Sequence, residues 1–146
     1  MDERRLSATL GFLLAQVCKA HHFRVRTLLD EIGLYRGQQF VLCALWKEEG
    51  IAHSELAERL HVHPATVTNA IKRMERAGFV ERRPDLEDQR VSRVYLTDAG
   101  HKIRDAVEHI WAELEDLTLE GFSSGERDAL RGYLERIHEN LTEDET

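Results

Sequence analysis

Three arginines and three acidic residues share the nine positions of RRPDLEDQR, residues 82–90. Arginine binds phosphate and the electronegative minor groove of DNA, whereas carboxylates repel both. The proline favours a turn, so we expect this stretch to form the tip of a β-hairpin. Arg90 is the candidate minor-groove probe, and Asp88 is the acceptor that limits its rotamers. Arg82 and Arg83 are candidate phosphate contacts. A hydrated turn with ordinary surface charge is the alternative.

The preceding segment, PATVTNAIKRMERAG at 64–78, has the pattern of an amphipathic helix. At 100° per residue, Val67, Ile71 and Met74 form one apolar stripe. The opposite face and its flanks are small or polar near the start and basic near the end, as in a recognition helix that enters the major groove. The candidate DNA contacts there are Ala65, Thr66, Thr68, Asn69, Lys72, Arg73 and Arg76. The amide of Asn69 can pair with adenine, and the cations can contact phosphates. The solvated face of an ordinary helix is the alternative.

Other side chains with reactive or ligating groups lack a spacing that indicates chemistry. Cys18 and Cys43 do not form a Cys-x-x-Cys motif, and both are expected to be buried thiols. The eight histidines include no ligand pair at helical spacing, so no metal site is predicted. A nucleophile with its base is absent, as is a glycine-rich phosphate loop. We therefore expect neither an enzyme nor a cofactor.

Helices must position these side chains, because the chain has only two prolines and nine glycines. Apolar residues recur at helical spacing from Leu6 to Leu29, which predicts one long first helix, and again from Gln38 to Trp46. A short helix with Ser54 as its N-cap then precedes the helix that starts at Pro64. The two helices with their short turn predict a helix-turn-helix.

The apolar pattern changes period after this motif, and residues 79–83 and 92–96 predict the strands of a β-hairpin. Thr97 is a candidate cap for the next helix, and Ser123 with Glu126 predicts a capping box before the last one. A helix-turn-helix followed by a hairpin is a winged helix. The predicted fold class is therefore mainly α (α+β), a winged helix-turn-helix with a small β-hairpin wing and long N- and C-terminal helices.

Charge is distributed unevenly along the 146 residues, which have a formal net charge of −7. Residues 64–104 contain nine basic and six acidic residues, whereas residues 105–146 contain three and thirteen. Nucleic acid responds to the local field, so the middle segment stays a candidate for DNA binding. The 42% of apolar residues fits one packed domain. The lack of a long apolar run predicts a cytoplasmic protein without a membrane partner.

The segment ELAERLHVHPATVTNAIKRMERAGFVERRPDLEDQRVSRVYLTDAG, residues 55–100, resembles the signature of the MarR (multiple antibiotic resistance regulator) family of bacterial transcription factors. The marks of the resemblance are the helix LAERL, the opening PATVT, the run RMERAGFVER, the wing sequence DQR and the closing LTDAG. GLYRGQQFVLCALW, residues 33–46, is similar to the family's second helix.

The resemblance implies a single MarR-like domain over residues 1–146. Its winged helix-turn-helix DNA-binding lobe would span 37–100, and its dimerisation helices would span 1–32 and 103–146. The implied function is that of a sequence-specific, ligand-responsive regulator, usually a repressor. It would bind double-stranded DNA at a palindromic operator as a homodimer.

The family usually responds to a small molecule, often a phenolic or aromatic acid, in a cleft between the dimerisation helices and the DNA-binding lobe. The candidate effector-binding residues are His22, Arg26, Cys43 and Trp46. Alternatives within the same fold are a thiol-sensing or metal-sensing regulator and a winged helix used for protein contacts. The reactive cysteine of peroxide-sensing members aligns near Gly11 rather than Cys18, which counts against thiol sensing.

Overall fold

The computed structural model describes residues 3–35 and 37–143. Within these ranges the chain is mainly helical with one small antiparallel sheet, which confirms the predicted fold class. The helices are α1 (Glu3–Ser7), α2 (Leu10–Asp30), α3 (Gln38–Lys47), α4 (His53–Leu60), α5 (Pro64–Arg76), α6 (Asp98–Thr118) and α7 (Ser124–Thr142). The strands are β1 (Ile51–Ala52), β2 (Val80–Pro84) and β3 (Ser92–Leu96). None of the described helices has the length and hydropathy that crossing a bilayer requires.

The first helix is broken near its start, so the prediction of one continuous helix from Leu6 is wrong. The Thr9 hydroxyl accepts a hydrogen bond from the backbone N–H of Phe12 (3.1 Å) and donates one to the carbonyl of Leu6 (2.8 Å). Threonine competes in this way with helical backbone hydrogen bonds and caps the helix that follows. α2 then continues for 21 residues.

The turn of the helix-turn-helix lies between α4 and α5. His61 ends α4 in the left-handed conformation, with φ 53°. The ring Nδ1 of His63 accepts a hydrogen bond from the backbone N–H of Ala65 (3.2 Å) and so caps α5. Pro64 occupies the first turn, as the sequence predicts, because its missing N–H has no helical partner there.

The start of α4 differs from the prediction because a short strand precedes it. Ile51 and Ala52 form β1, which pairs antiparallel with β3, and the helix begins directly after them at His53. Ala52 is the N-cap residue and provides no side-chain hydrogen bond, so the predicted Ser54 cap is wrong. A strand of two residues is too short to show alternation in the sequence.

The three strands form one antiparallel sheet in the order β1-β3-β2. The predicted hairpin is confirmed: β2 pairs with β3 from Val80 opposite Leu96 to Pro84 opposite Ser92. β3 is therefore the central strand, hydrogen-bonded on both edges. This places the tip of the hairpin, residues 85–91, beyond the last paired residues, and we call this segment with its two strands the wing.

The described residues fall into two compact units, one up to Ala112 and one from Glu113 onward. The first unit has a core to which α2 to α6, the sheet and the turn before α3 contribute. Val67, Ile71 and Met74 are buried there, which confirms the predicted stripe of α5. Other core residues of this unit are Val25, Leu29, Leu34, Val41, Leu42, Leu45, Ile51, Leu56, Val80, Val94, Leu96, Val107 and Ile110.

Hydrogen bonds connect the start of α6 to the elements around it. The Thr97 hydroxyl accepts a hydrogen bond from the N–H of Gly100 (3.1 Å), which confirms the predicted cap, and donates one to the carbonyl of Gly78 (2.5 Å). The indole N–H of Trp46 on α3 donates to the carbonyl of Gly100 (3.0 Å). These contacts connect the turn after α5, the end of α3 and the start of α6.

The second unit contains the last turns of α6 and the whole of α7. The predicted capping box is present: the Ser123 hydroxyl accepts from the N–H of Glu126 (3.1 Å), and the Glu126 carboxylate accepts from the N–H of Ser123 (3.0 Å). No residue of α7 is buried within the described chain. Its exposed apolar residues are Tyr133, Leu134, Ile137 and Leu141.

Candidate nucleic-acid interface

The outward face of α5 contains the residues that the sequence singles out as DNA contacts. Ala65, Thr66, Asn69, Lys72, Arg73 and Arg76 are exposed. Thr68 is half-buried, and its hydroxyl donates to the carbonyl of Pro64 (3.0 Å). This hydroxyl is therefore already engaged with the backbone, while the amide of Asn69 faces solvent.

The cations of α5 differ from the neighbouring arginines because they lack ion-pair partners among the described residues. Residues 59–93, all of which the structure describes, contain eight lysines and arginines. Five of these have carboxylate partners, namely Arg59, Arg82, Arg83, Arg90 and Arg93. The described residues provide no ion-pair partner for the other three, which are Lys72, Arg73 and Arg76. All three lie on the exposed face of α5, so this face concentrates uncompensated positive charge.

Asp85 organises the wing tip. Its Oδ2 accepts hydrogen bonds from the backbone N–H groups of Glu87 (3.2 Å) and Asp88 (3.0 Å), and its Oδ1 accepts from Nε of Arg93 (2.7 Å). The bond from Arg93, reinforced by the backbone N–H groups, holds the pKa of Asp85 below its ordinary value. Arg93 also donates through Nη1 to the carbonyl of Gly50 (2.8 Å), which ties the tip to the segment before β1.

Asp88 and Arg90 form the pair that the sequence predicts at the wing tip. Asp88 Oδ1 accepts from the Arg90 backbone N–H and from its Nε, both at 3.1 Å, and Oδ2 accepts from Nη2 at 3.3 Å. These bonds lower the pKa of Asp88, so the carboxylate is ionised at neutral pH. The Arg90 side chain is nevertheless 91% exposed. It is thus restrained in direction while its guanidinium remains open to a ligand.

Arg82 and Arg83, the candidate phosphate contacts of the wing, both have acidic partners. Arg82 Nη2 pairs with Glu75 Oε1 (3.0 Å), which links β2 to α5. Arg83 pairs with Glu81, and its guanidinium carbon lies 4.3 Å from the centre of the Tyr95 ring. A phosphate contact by either arginine has to compete with these bonds or share the guanidinium with them.

His53 lies close to the Arg82–Glu75 pair. Its ring Nε2 is buried and has no hydrogen-bond partner among the described residues. Burial lowers the pKa of His53, and the positive charge of Arg82 lowers it further, while Glu75 acts in the opposite sense. The structure therefore favours the neutral ring at this position.

Two of the four candidate effector residues share a pocket in the first unit. His22 and Arg26 of α2 line it, together with Val25, Leu29, Leu34, Gly37 and Gln39. The side chain of Gln39 is buried, and its Oε1 has no hydrogen-bond partner in the described chain. The pocket thus offers a cation, an imidazole, an apolar wall and an unused acceptor.

The other two candidates, Cys43 and Trp46, are not among the residues that line this pocket. Trp46 connects α3 to α6 through Gly100, and the guanidinium of Arg104 lies 5.7 Å from the centre of the Trp46 ring. Trp46 therefore has a structural role that the sequence does not indicate.

Both cysteines are exposed, so the expectation of buried thiols is wrong. The core-facing positions of α3 are Val41, Leu42 and Leu45, and Cys43 lies on another side of the helix. Its sulfur is still partly shielded from water, which raises the pKa of the Cys43 thiol although Lys47 lowers it. In the chain as described, no three His, Cys, Asp or Glu side chains are grouped as a metal site would require.

Comparison with known proteins identifies the family. The model of the MarR family matches residues 34–92, from the turn before α3 to the first residue of β3. The HTH-type transcriptional regulator TtmR of Methylorubrum extorquens (strain PA1) is 32% identical over 143 residues, which cover 96% of this chain and 71% of TtmR. This chain belongs to the MarR family.

Solved MarR-family structures have the same fold. The transcriptional regulator SlyA matches with a TM-score of 0.84 and 27% identity, and the match covers 94% of this chain and 96% of that of SlyA. A mutant of MarR from E. coli in complex with operator DNA matches with a TM-score of 0.82 and 24% identity, over 94% of this chain and 99% of the other. At 24% identity, the similarity to the MarR–DNA complex shows a shared fold and nothing more.

As a MarR-family protein, the chain is a DNA-binding transcriptional regulator, and the prediction that it is not an enzyme is confirmed. The sequence did not indicate the residues that arrange the wing, which are Asp85, Arg93, Glu75 and Glu81. Adjacent charges such as Asp88 and Arg90 suggest a pair from spacing alone. The Arg82–Glu75 pair joins two neighbouring elements, and the bond from Arg93 to Gly50 joins positions 43 residues apart. No helical or strand spacing reveals either contact.

Proposed function

We propose that the protein is a homodimeric, sequence-specific regulator that represses transcription from a palindromic operator and releases it when a small effector binds. In this proposal α5 enters the major groove and the wing tip approaches the minor groove with Arg90. Regions 1–32 and 103–146 provide the dimer interface, and 37–100 is the DNA-binding lobe. A regulator of this kind meets its DNA in the cytoplasm.

The unpaired cations of α5 carry the DNA part of the proposal. A protein gains affinity for DNA when its cations release counterions from phosphates, and a cation already paired with a carboxylate gains less. Lys72, Arg73 and Arg76 have no such partner in the described chain, whereas every other cation between residues 59 and 93 has one. Asn69 lies on the same face and is the proposed reader of adenine.

Exposed apolar side chains support the homodimer. On α2 these include Leu10, which is 84% exposed, together with Leu13, Val17 and Phe23. On α7 they include Tyr133, Leu134 and Leu141. Apolar surface of this extent on two long helices is unusual for a monomer and typical of an interface.

The pocket at His22 and Arg26 supports a small anionic effector. Arg26 provides a positive charge for a carboxylate, Val25 and Leu29 provide an apolar wall, and Gln39 Oε1 can accept a hydrogen bond. A phenolic or aromatic acid has all three complementary groups, and the pocket, which has room for about one water molecule, must widen to admit it. Its binding releases DNA only if it favours a dimer whose recognition helices are wrongly spaced for the operator.

Fluorescence anisotropy with DNA from upstream of the protein's own gene tests the DNA part. The native protein should bind specifically, with half-sites about 10 base pairs apart and an affinity that falls with salt. Arg90→Ala should weaken binding and reduce the slope of log affinity against log salt by about one per half-site. Asn69→Ala should instead lose roughly 1 to 3 kcal/mol of preference at one base pair per half-site.

Lys102→Ala is the matched control, because it removes one exposed positive charge from the start of α6, outside α5, the wing and the proposed dimer interface. It should leave both the affinity and the salt slope close to native values. Equal affinity of the native protein for operator and random DNA at every salt concentration would refute the proposed function. A thermal-shift screen with phenolic acids, hydroperoxides and zinc tests the effector class separately, since binding stabilises the folded protein.

A further inference from the structure

Leu86 lies in the hairpin tip of the wing and is 100% exposed. A single exposed leucine is ordinary on a protein surface, so exposure by itself indicates no function. Leu86 differs in its position, because the residues on both sides of it are held in place by hydrogen bonds.

The backbone on either side of Leu86 is fixed by one carboxylate. Asp85 precedes Leu86 and accepts from the N–H groups of the two residues that follow it, Glu87 (3.2 Å) and Asp88 (3.0 Å). Asp85 also donates its own N–H to the carbonyl of Val91 (2.9 Å), which closes the loop. The chain at Leu86 is therefore ordered before any ligand binds, so a contact there costs less entropy than one made by a mobile loop.

Leu86 shares this hydrogen-bonded loop with Arg90. The same Asp88 whose N–H is bound by Asp85 holds the Arg90 guanidinium through both of its carboxylate oxygens. The loop thus presents one apolar and one cationic side chain, each exposed and each positioned by the hydrogen bonds of one loop.

The charges of the wing tip balance, so an apolar contact can add affinity that they do not provide. The three arginines of residues 82–90 are matched by three acidic residues, and Glu87 is exposed with no ion-pair partner in the described chain. Net charge in this stretch therefore provides little general attraction to phosphates. An apolar contact is independent of that balance, and minor-groove proteins do use apolar side chains beside cationic ones.

We propose that Leu86 packs against the deoxyribose walls of the minor groove beside Arg90, as a second DNA contact of the wing that does not depend on charge. This inference rests on the proposed function and adds a specificity-determining residue to it. A contact with both walls depends on groove width, which varies with base sequence, so Leu86 favours operators with a narrow, A·T-rich minor groove at the wing position.

The test compares three variants by anisotropy on the operator over a range of salt concentrations. Leu86→Ala and Leu86→Gln should weaken binding about 3- to 10-fold per wing, because even half the burial of a leucine is worth a factor of this size. Leu86→Met keeps the apolar volume and should stay within about twofold of native. The salt slope of Leu86→Ala should equal that of the native protein, since no counterion-releasing charge is lost.

Hydroxyl-radical footprinting gives a direct readout, because the radical attacks deoxyribose hydrogens in the minor groove. The native protein should protect sugars at the wing position, and Leu86→Ala should lose that protection while it keeps protection under α5. The thermal midpoint should not change, since Leu86 touches no core residue. Replacement of A·T by G·C pairs at the wing position should weaken native binding more than binding by Leu86→Ala.

Each outcome decides the inference. Native affinity of Leu86→Ala with unchanged footprints overturns it and leaves the proposed function intact. A reduced salt slope for Leu86→Ala, like that of Arg90→Ala, also overturns it, because Leu86 would then act by positioning Arg90. Failure of the native protein to bind any specific site overturns the proposed function and this inference together.

Discussion

Gly100 has so little space around its α-carbon that we expect replacement by alanine to destabilise the DNA-binding lobe. It is buried in the first turn of α6. A Cβ at this position would lie 2.1 Å from the carbonyl oxygen of Phe79, 3.2 Å from its carbonyl carbon and 3.0 Å from Cδ2 of Leu96. The nearest obstacle is backbone, which cannot rotate away as a side chain can.

The Phe79 carbonyl is also fixed in position by a hydrogen bond. It accepts a hydrogen bond from the N–H of Thr97 (3.1 Å), and the Thr97 hydroxyl holds the neighbouring Gly78 carbonyl (2.5 Å). The N–H of Phe79 donates to the carbonyl of Met74 (2.9 Å) at the end of α5. To admit a methyl group, the chain between α5 and β2 must move by about 1 Å, since ordinary contacts begin near 3.4 Å.

Two opposing effects set the size of the loss. Overpacking of a close-packed interior costs typically about 1 to 3 kcal/mol, and the upper end applies where backbone must move. Alanine returns up to about 1 kcal/mol through its higher helix propensity. A net loss of about 2 kcal/mol corresponds to a fall in Tm of about 4 to 8 °C for a chain of this size.

Thermal and urea unfolding of Gly100→Ala, with Gly132→Ala as the matched control, measure this effect. Gly132 lies within α7 and a Cβ there would meet nothing within 4 Å, so the control should be stabilised by up to about 1 kcal/mol. DNA affinity of Gly100→Ala should also fall, because Phe79 begins the segment that leads into the wing. A Tm of Gly100→Ala equal to or above native, with Gly132→Ala behaving as expected, would refute the packing argument.

Two further predictions follow from the shifted pKa values. As the pH falls below 6.5, the ordinary pKa of histidine, the native protein should lose stability relative to His53→Gln, because the unfolded chain takes up a proton that the folded chain resists. Melting curves from pH 8 to 5 measure this, and a Tm difference that does not vary with pH contradicts it. In a Cys18→Ser background, Cys43 should react with iodoacetamide at pH 7.5 more slowly when folded than in urea, since its raised pKa lowers the thiolate fraction. Equal rates in the two states would count against that account.

Local patterns predicted the elements of the wing but only part of its arrangement. A short segment that ends at Pro84 predicts the first strand of the hairpin, and alternating residues predict the second. Close spacing predicts the pair of Asp88 and Arg90. The sequence does not predict that Asp85 organises the tip, because one of its partners, Arg93, is eight residues away. The sequence does not predict β1, because a strand of two residues is too short to show alternation. Its pairing with β3 also joins positions more than 40 residues apart.

The sequence failed where burial depended on tertiary contacts. Cys18 and Cys43 lie in apolar helical surroundings, which predicts buried thiols, yet both are exposed. Helical periodicity shows which residues share a face, but packing partners decide which face is covered. In α3 those partners cover Leu42 and Leu45 and leave Cys43 outside.

By itself, the sequence determined the winged helix, the inward stripe of α5 and its polar-to-basic outer face, because periodicity, caps and turn residues act over a few positions. Tertiary structure decided which cations are available, since Arg82 finds Glu75 on another element while Lys72 and Arg76 find no partner in the described chain. It also decided that Leu86 stands fully exposed on an ordered loop. The first depends on how β2 lies against α5, and the second depends on how the hydrogen bonds of Asp85 close the hairpin tip.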